Sequence, residues 1–354
     1  MFMLNINTYP YKLDFTLTDK SEEALQKSLC TYLDYKHIVI LDSVQSAFTL
    51  ALSNLQENTN VLCSPNAPLS LFKSVKDNNL MLAYCDLKLD GTMEPRFFKK
   101  SLSEHSTAFV LSHNHGIVSD IQAALQFTQE NSLIFIEDAT QAFAKQEKSG
   151  AQLVIHSLDM LIPSTLARGA CIATDDEELA EKLRQKVKGG YVPKKFWNYD
   201  LINTNADLTL SPLSAQLALD ALSNLQQHEK RIIEIQELYL NKLASNRLIE
   251  LPDQSKLTPY PLFQVALVPA LFCPKEDIYQ ALIEAGVPIE VGNKPIYKTT
   301  AYKDDTLSLF GAEEIFKAQL LLPSHHLMTD EDVLFVIETL EQVLNTYGYR
   351  GCSF

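Results

Sequence analysis

Residues 132–143, SLIFIEDATQAF, end an apolar run in two acids, Glu137 and Asp138, with Gln141 three positions after the second. An acid at the end of a strand, followed one turn later by an amide, can hold a heteroaromatic ring. The same acid can equally cap backbone N–H groups where the next segment starts. A second stretch, VIHSLDMLIPSTLARGACIAT (154–174), reads as strand, loop and strand. Between Ser157 and Arg168 its only ionisable side chain is Asp159, and it holds no lysine. The meaning of that absence depends on what surrounds it.

The surrounding elements alternate. Short β-branched runs at 37–41, 60–64, 81–86, 107–112, 132–137, 152–157 and 169–174 read as strands. Helical spacing of apolar residues falls at 21–35, 43–55, 68–77 and 119–131. Strand–helix alternation predicts a mostly parallel, seven-stranded sheet covered by helices on both faces. In such sheets ligands bind beyond the carboxyl ends of the strands, where Asp138 falls. Thr174 with Glu177, and Thr329 with Asp332, have the spacing of capping boxes. Residues 190–212 lack periodicity, and a loop of that length is functional or sits at an interface. A long helix over 213–244 follows. The remainder reads as a small α+β domain with strands in YPLFQVALV and VPIEV. We expect a large domain over 1–235 and a small one over 236–354.

Bulk properties narrow the function classes. The 354 residues carry a formal net charge of -14. So acidic a surface repels phosphate backbones and anionic lipid, which argues against nucleic acid and membrane as partners. Glycine is scarce, 11 residues, and no G-x-G occurs, which argues against dinucleotide and P-loop folds. The six cysteines are scattered without metal-ligand spacing, as expected of reduced thiols. No metal site is expected. With no basic-then-apolar leader and no run long enough to span a bilayer, a cytoplasmic location is expected.

Several segments, in order, resemble the DegT/DnrJ/StrS sugar aminotransferase family. FIEDATQAF and GACIATDDEELAEKLR look like its signature. LDSVQSAFTLALSNL sits where the family has V-S-S-G-T-A-A-L-H-L-A-L, and VLCSPNAP matches V-I-T-P-S-F-T-F. VLSHNHGIVSDI matches P-V-H-L-Y-G-Q-P-A-D-M, and LLLPSHHLMTDEDVLFVIETL matches the family's closing segment. The resemblance implies a fold-type-I pyridoxal phosphate enzyme acting on keto-sugar nucleotides, working as a homodimer with sites built from both subunits. Asp138 then corresponds to the partner of the pyridine nitrogen, Gln141 to the glutamine near the ring hydroxyl, and Ser157 to a serine near the phosphate. Ser43 and Gln45 flank the family's S-G-T phosphate cradle. The segment 190–212, with Phe196, Trp197 and Tyr199, is the expected crossing element between subunits.

The departures fall together. The family lysine that carries the cofactor aligns with Leu161 or Ile162, and an alkyl group neither condenses with an aldehyde nor shuttles a proton. The lysines upstream, Lys145 and Lys148, lie across a strand. A branch of the family uses histidine instead, but His156 misses the position by five or six residues. Val44 replaces the cradle glycine, Asn66-Ala67-Pro68 replaces the stacking aromatic, and Asp207 replaces an asparagine, with Asn205 two residues away. The sequence thus predicts no catalytic residue. It predicts a sugar-aminotransferase-like protein that is catalytically degenerate, binding a nucleotide sugar or acting as a scaffold, with pyridoxal phosphate lost or held non-covalently. The alternative is an active aminotransferase or dehydratase.

Overall fold

The computed structural model describes residues 21–143, 148–160, 168–196, 198–202, 206–268 and 273–348. In chain order, α1 (Ser21–Leu33), β1 (His37–Leu41), α2 (Val44–Leu52), β2 (Asn60–Cys63), α3 (Leu69–Asp77) and β3 (Met81–Tyr84) come first. Then follow α4 (Pro95–Ser101), β4 (Ser106–Ser112), α5 (Ile121–Glu130), β5 (Ile134–Asp138), β6 (Leu153–Ser157), β7 (Ala170–Thr174) and α6 (Glu177–Val187). A hairpin, β8 (Tyr191–Pro193) and β9 (Tyr199–Leu201), leads to α7 (Pro212–Leu243). The C-terminal domain holds β10 (Ile249–Glu250), β11 (Leu262–Leu267), α8 (Lys275–Glu284), α9 (Phe310–Ala318), β12 (Gln319–Pro323) and α10 (Asp330–Gly348).

The seven expected strands form one sheet in the order β1-β7-β6-β5-β4-β2-β3. Only β7 runs against its neighbours; the other pairings are parallel. The strands are continuously apolar because both faces are covered. Val39, Leu41, Ile136, Ile155 and Ile172 pack with α2 and α3 on one face. Ile38, Ile40, Val154, Cys171 and Ala173 pack with α1 and α7 on the other. Periodicity of two therefore survives as a division between two cores rather than between core and solvent.

The C-terminal capping box forms as expected. Thr329 N–H donates to Asp332 Oδ2 at 2.8 Å, and Asp332 N–H donates back to Thr329 Oγ1 at 3.2 Å. The other does not. Thr174 still belongs to β7, paired with His37, so α6 starts later and Asp176 caps it through the Leu179 N–H at 3.0 Å. VPIEV makes one bridge, Glu290 with Leu321, and no strand. Its extended run meets Gly292, where a Cβ would run into the Gln319 side chain. The segment after 190 is not irregular throughout, since it opens with the β8–β9 hairpin. Tyr191, Tyr199 and Leu201 are all exposed there, so no in–out alternation marked it in the sequence.

Helix α7 serves two cores. Ala215, Ala218 and Ala221 pack under the large sheet, while Ile235, Tyr239 and Leu243 pack with β11, β12 and α10. We propose the domain division inside this helix, at the 235/236 step. Among the described residues no helix is long and apolar enough to cross a membrane.

A polar latch ties the C-terminal domain to the sheet beyond β3. Asp86 Oδ1 accepts the Ala312 N–H at 2.9 Å and Oδ2 the Gly311 N–H at 3.3 Å, placing an anion on the first turn of α9. This approach requires glycine, because a Cβ on Gly311 would strike the Leu87 carbonyl. Gly311→Ala should therefore lower stability by about 1–3 kcal/mol, read as a lower urea midpoint. An unchanged midpoint contradicts the latch.

Candidate functional site

The carboxyl edge of the sheet gathers residues from β2, β4, β5 and β6. Asp138 closes β5, paired in register with Ser112 on one side and Ile155 on the other. Ser157 lies two residues beyond Ile155, so Asp138 and Ser157 share a face, the one carrying the α2–α3 core. Asp138 is 1% exposed. Its Oδ1 accepts from the Thr140 N–H at 3.1 Å and the Thr140 hydroxyl at 2.6 Å, and its Oδ2 from the Ser112 hydroxyl at 2.8 Å. Burial pushes its carboxyl above the usual range, and the hydrogen bonds from Thr140 and Ser112 pull it back only in part. Both readings of Asp138 thus meet in one residue. It caps the turn after β5, and it stands at the ligand-binding edge of the sheet.

Gln141 reaches across to the turn after β4. Its Oε1 accepts the His115 N–H at 3.0 Å and so pins the turn after β4. His115 has φ +52° and is followed by Gly116 at φ +77°, where a Cβ would collide with Tyr260. Asn114 and His115 are both buried, and His115 lies beside Gly292.

Behind this edge, on the opposite face, lies a second buried pair. His113 Nε2 donates to Glu137 Oε1 at 3.0 Å, while His113 Nδ1 accepts the Ser119 N–H at 3.2 Å, which assigns the ring proton to Nε2. Burial raises the Glu137 carboxyl, but the hydrogen bonds from His113 and Ser149 outweigh it and leave it below its ordinary range. His156, on the same face, is 4% exposed and packs edge-on against Phe143 at 5.4 Å. Neither of its ring nitrogens has a hydrogen-bond partner. The sequence reading missed the His113–Glu137 pair; its signal was SHNHG at the end of one strand beside IED at the end of the next.

The expected phosphate cradle is only partly assembled. Ser43 caps α2, its Oγ accepting the Ser46 N–H at 3.2 Å and donating to Asp42 Oδ1 at 3.1 Å. A carboxylate therefore accompanies the helix N-terminus, where an anion would bind. Gln45 reaches away to Asp77 at 3.4 Å. Ser157 Oγ accepts the Asp159 N–H at 3.2 Å, and Asp159 Oδ1 accepts the Gly169 N–H at 2.9 Å, closing the neck of the following loop. Leu161 and Ile162, aligned with the family lysine, lie outside the described residues, as do Lys145, Trp197 and Asn205. Lys148 is described: its Nζ pairs with Asp175 at 2.7 Å, next to Lys36 and the start of β1. That is the amino edge of the sheet, opposite Asp138. Asp207 is exposed and caps its own turn through the Thr209 N–H at 3.0 Å.

Where the family resemblance implies a stacking aromatic, Asn66 closes the sheet onto the C-terminal domain. Its Nδ2 donates to the Asn293 carbonyl at 3.0 Å and the Ala312 carbonyl at 3.1 Å. Asn293 Nδ2 returns a bond to the Asn66 carbonyl at 3.1 Å. A separate cleft of about 780 Å³ opens along β3, lined by Tyr84, Lys100 and Tyr302 among others, and holds none of these residues.

The profile of the DegT/DnrJ/EryC1/StrS aminotransferase family matches residues 11–341. The chain belongs to that family. A Campylobacter jejuni (serotype O:2) UDP-4-amino-4,6-dideoxy-N-acetyl-beta-L-altrosamine transaminase is 28% identical, over 94% of this chain and 92% of its own length. The protein of that name from Helicobacter pylori is 22% identical, over 91% and 89%. Among solved structures, Helicobacter pylori PseC, an aminotransferase involved in pseudoaminic acid biosynthesis, superposes with a TM-score of 0.88 at 21% identity, covering 93% of this chain and 92% of its own. S. venezuelae DesV, solved in complex with a ketimine intermediate, gives 0.83 at 20% identity, covering 94% and 91%. These structures share the family's fold, the mixed seven-stranded sheet included.

The buried imidazoles set an acid response. Burial holds His115 and His156 down at about 4, against 6.5 for a free ring. The unfolded chain takes up each proton near pH 6.5 while the folded chain resists until about 4, so stability is full above 6.5 and falls through that window. Each site contributes on the order of 3 kcal/mol to the loss. Glu137, lowered from 4.5, adds its own loss as the pH falls through about 4.5 and below. His156→Phe, which keeps the contact with Phe143, should flatten the fall in urea-unfolding free energy between pH 7 and pH 4.5. An unchanged slope contradicts the assignment.

Proposed function

We propose that this family member binds a nucleotide sugar without performing lysine-dependent amino transfer. One observation carries the reading: the sequence holds no lysine between Lys148 and Lys182, and Lys148 is ion-paired at the wrong edge of the sheet. Pyridoxal phosphate brings an aldehyde, an electron-accepting ring and a phosphate. The residues present do not fit it well. Asp42 sets a carboxylate at the α2 N-terminus, where the phosphate would sit. Ser112 and Thr140 already occupy both carboxylate oxygens of Asp138. Asn66 spends its amide on two carbonyls in place of a ring-stacking face. The relatives' names support a ligand class, a UDP-linked N-acetylated deoxyhexose, and on this reading the protein serves amino-sugar or polysaccharide synthesis as a binding or scaffold component.

A second reading, an active aminotransferase with non-covalent cofactor, draws on Asp138 and Gln141 standing at the family's positions and on the relatives' activity. Incubation with millimolar pyridoxal phosphate, borohydride reduction and peptide mass mapping tests the first reading, and amino transfer from glutamate to a UDP-4-keto-sugar, measured alongside, separates it from the second. Our reading predicts no stoichiometric pyridoxyl mass on any lysine. A single lysine modified in most chains contradicts it.

We also propose a homodimer built through the β8–β9 hairpin, where Phe196 is 92% and Tyr199 62% exposed. Aromatic side chains are the usual interface anchors. Light scattering at micromolar concentration should give twice the chain mass, and Phe196→Asp with Tyr199→Asp should halve it. A monomeric wild-type chain contradicts this.

A further inference from the structure

The cleft along β3 stands apart from the site at Asp138. Strands β4 and β2 separate it from β5, so three strand spacings, roughly 14 Å, lie between them. β3 is the last strand of the sheet, and one of its sides is unpaired among the described residues. The Met81 and Cys85 N–H groups donate to the Thr59 and Cys63 carbonyls, each at 2.9 Å. Backbone groups alternate sides along a strand, so Leu82 and Tyr84 turn theirs away from β2. The Ser101 hydroxyl answers the Tyr84 carbonyl at 2.6 Å. The Leu82 N–H, the Leu82 carbonyl and the Tyr84 N–H have no described partner. Donor, acceptor and donor at strand spacing are a template for another strand.

This edge is the floor of a groove rather than a bare rim. The cleft of about 780 Å³ has the size of a ligand pocket. Its walls lie on the two faces of the sheet. Phe97 and Lys100 of α4 stand on the face where Cys85 and Phe98 pack, and Tyr302 on the face where Leu82 and Tyr84 pack. A strand laid in the plane of the sheet sends alternate side chains to these two walls. Four charged side chains line the cleft, Asp86, Lys100, Lys303 and Asp304. Asp86 is held by the first turn of α9, Asp304 by the Thr306 N–H at 2.9 Å, and Lys303 by Asp305 at 2.9 Å. Lys100 alone of the four has no described partner, and a carboxylate would complement it. We propose that the groove docks an extended peptide segment of a partner protein, added as a further strand on β3, with an apolar side chain toward Tyr302 and an acidic one toward Lys100. This does not depend on whether the site at Asp138 transfers an amino group.

The probe is a random dodecapeptide library displayed on phage and selected against the full-length protein. Enriched peptides are synthesised and titrated by fluorescence polarisation. Lys100→Glu and Ala301→Trp, both at exposed positions, are the variants, and thermal unfolding checks that each is folded. Hydrogen exchange read by mass spectrometry counts the amides that a peptide protects. The proposal predicts enriched sequences that alternate apolar and acidic residues, binding at least about tenfold weaker in each variant. It also predicts two newly protected amides within residues 81–85, those of Leu82 and Tyr84. A selection that yields no peptide binding more tightly than millimolar overturns it, as does binding unchanged in both variants. Cleft-dependent binding without the two protected amides overturns it too, because the groove would then hold a compact ligand and not a strand.

Discussion

A polar group taken out of water must find a partner, and at the carboxyl edge of the large sheet that constraint organises everything else. Asp138 is buried, so Ser112 and Thr140 must answer it. Glu137 is buried on the reverse face, so His113 must answer it, and Ser119 then dictates which His113 nitrogen carries the proton. Gln141 is spent on the His115 amide and Asn66 on two carbonyls of the C-terminal domain. Side chains that the family pattern would lend to a cofactor are committed to holding the protein's own backbone.

That commitment explains why retained and lost residues coexist. Asp138 and Gln141 keep structural work whether or not a ring sits above them, since removing either leaves buried groups unpaired. A lysine in the loop after β6 would have no such second duty. On the proposed reading, relaxed demand on chemistry would erase the amine first and leave the caps. The atoms at this edge that remain unanswered belong to Asn66, Asn114 and His115.

The sheet is readable because each strand is a short β-branched run flanked by helical spacing, and all seven strands are legible in the sequence. Boundaries were weaker where a polar residue has two uses. Thr174 looks like a helix cap in sequence, yet its backbone pairs with His37 and its hydroxyl donates to the Gln152 carbonyl. The hairpin from Tyr191 to Leu201 escaped notice because strands exposed on both faces leave no alternation to read. The clamp at Asn66 was invisible for a different reason. Its partners, Asn293 and Ala312, are distant in sequence, and a carbonyl acceptor has no residue identity to detect. Resemblance supplied the expected roles of Asp138, Gln141 and Ser157, while the geometry supplied the competing duties.

The central claim is that this edge holds a sugar nucleotide but does not move an amino group onto it. The most direct measurement follows nitrogen itself. The protein is incubated with ¹⁵N-labelled glutamate, pyridoxal phosphate and a UDP-4-keto-sugar, and the sugar is examined by NMR. The account predicts no ¹⁵N on the sugar above a protein-free control, with the UDP-sugar still bound. Catalytic transfer of label to the sugar's fourth carbon would contradict it.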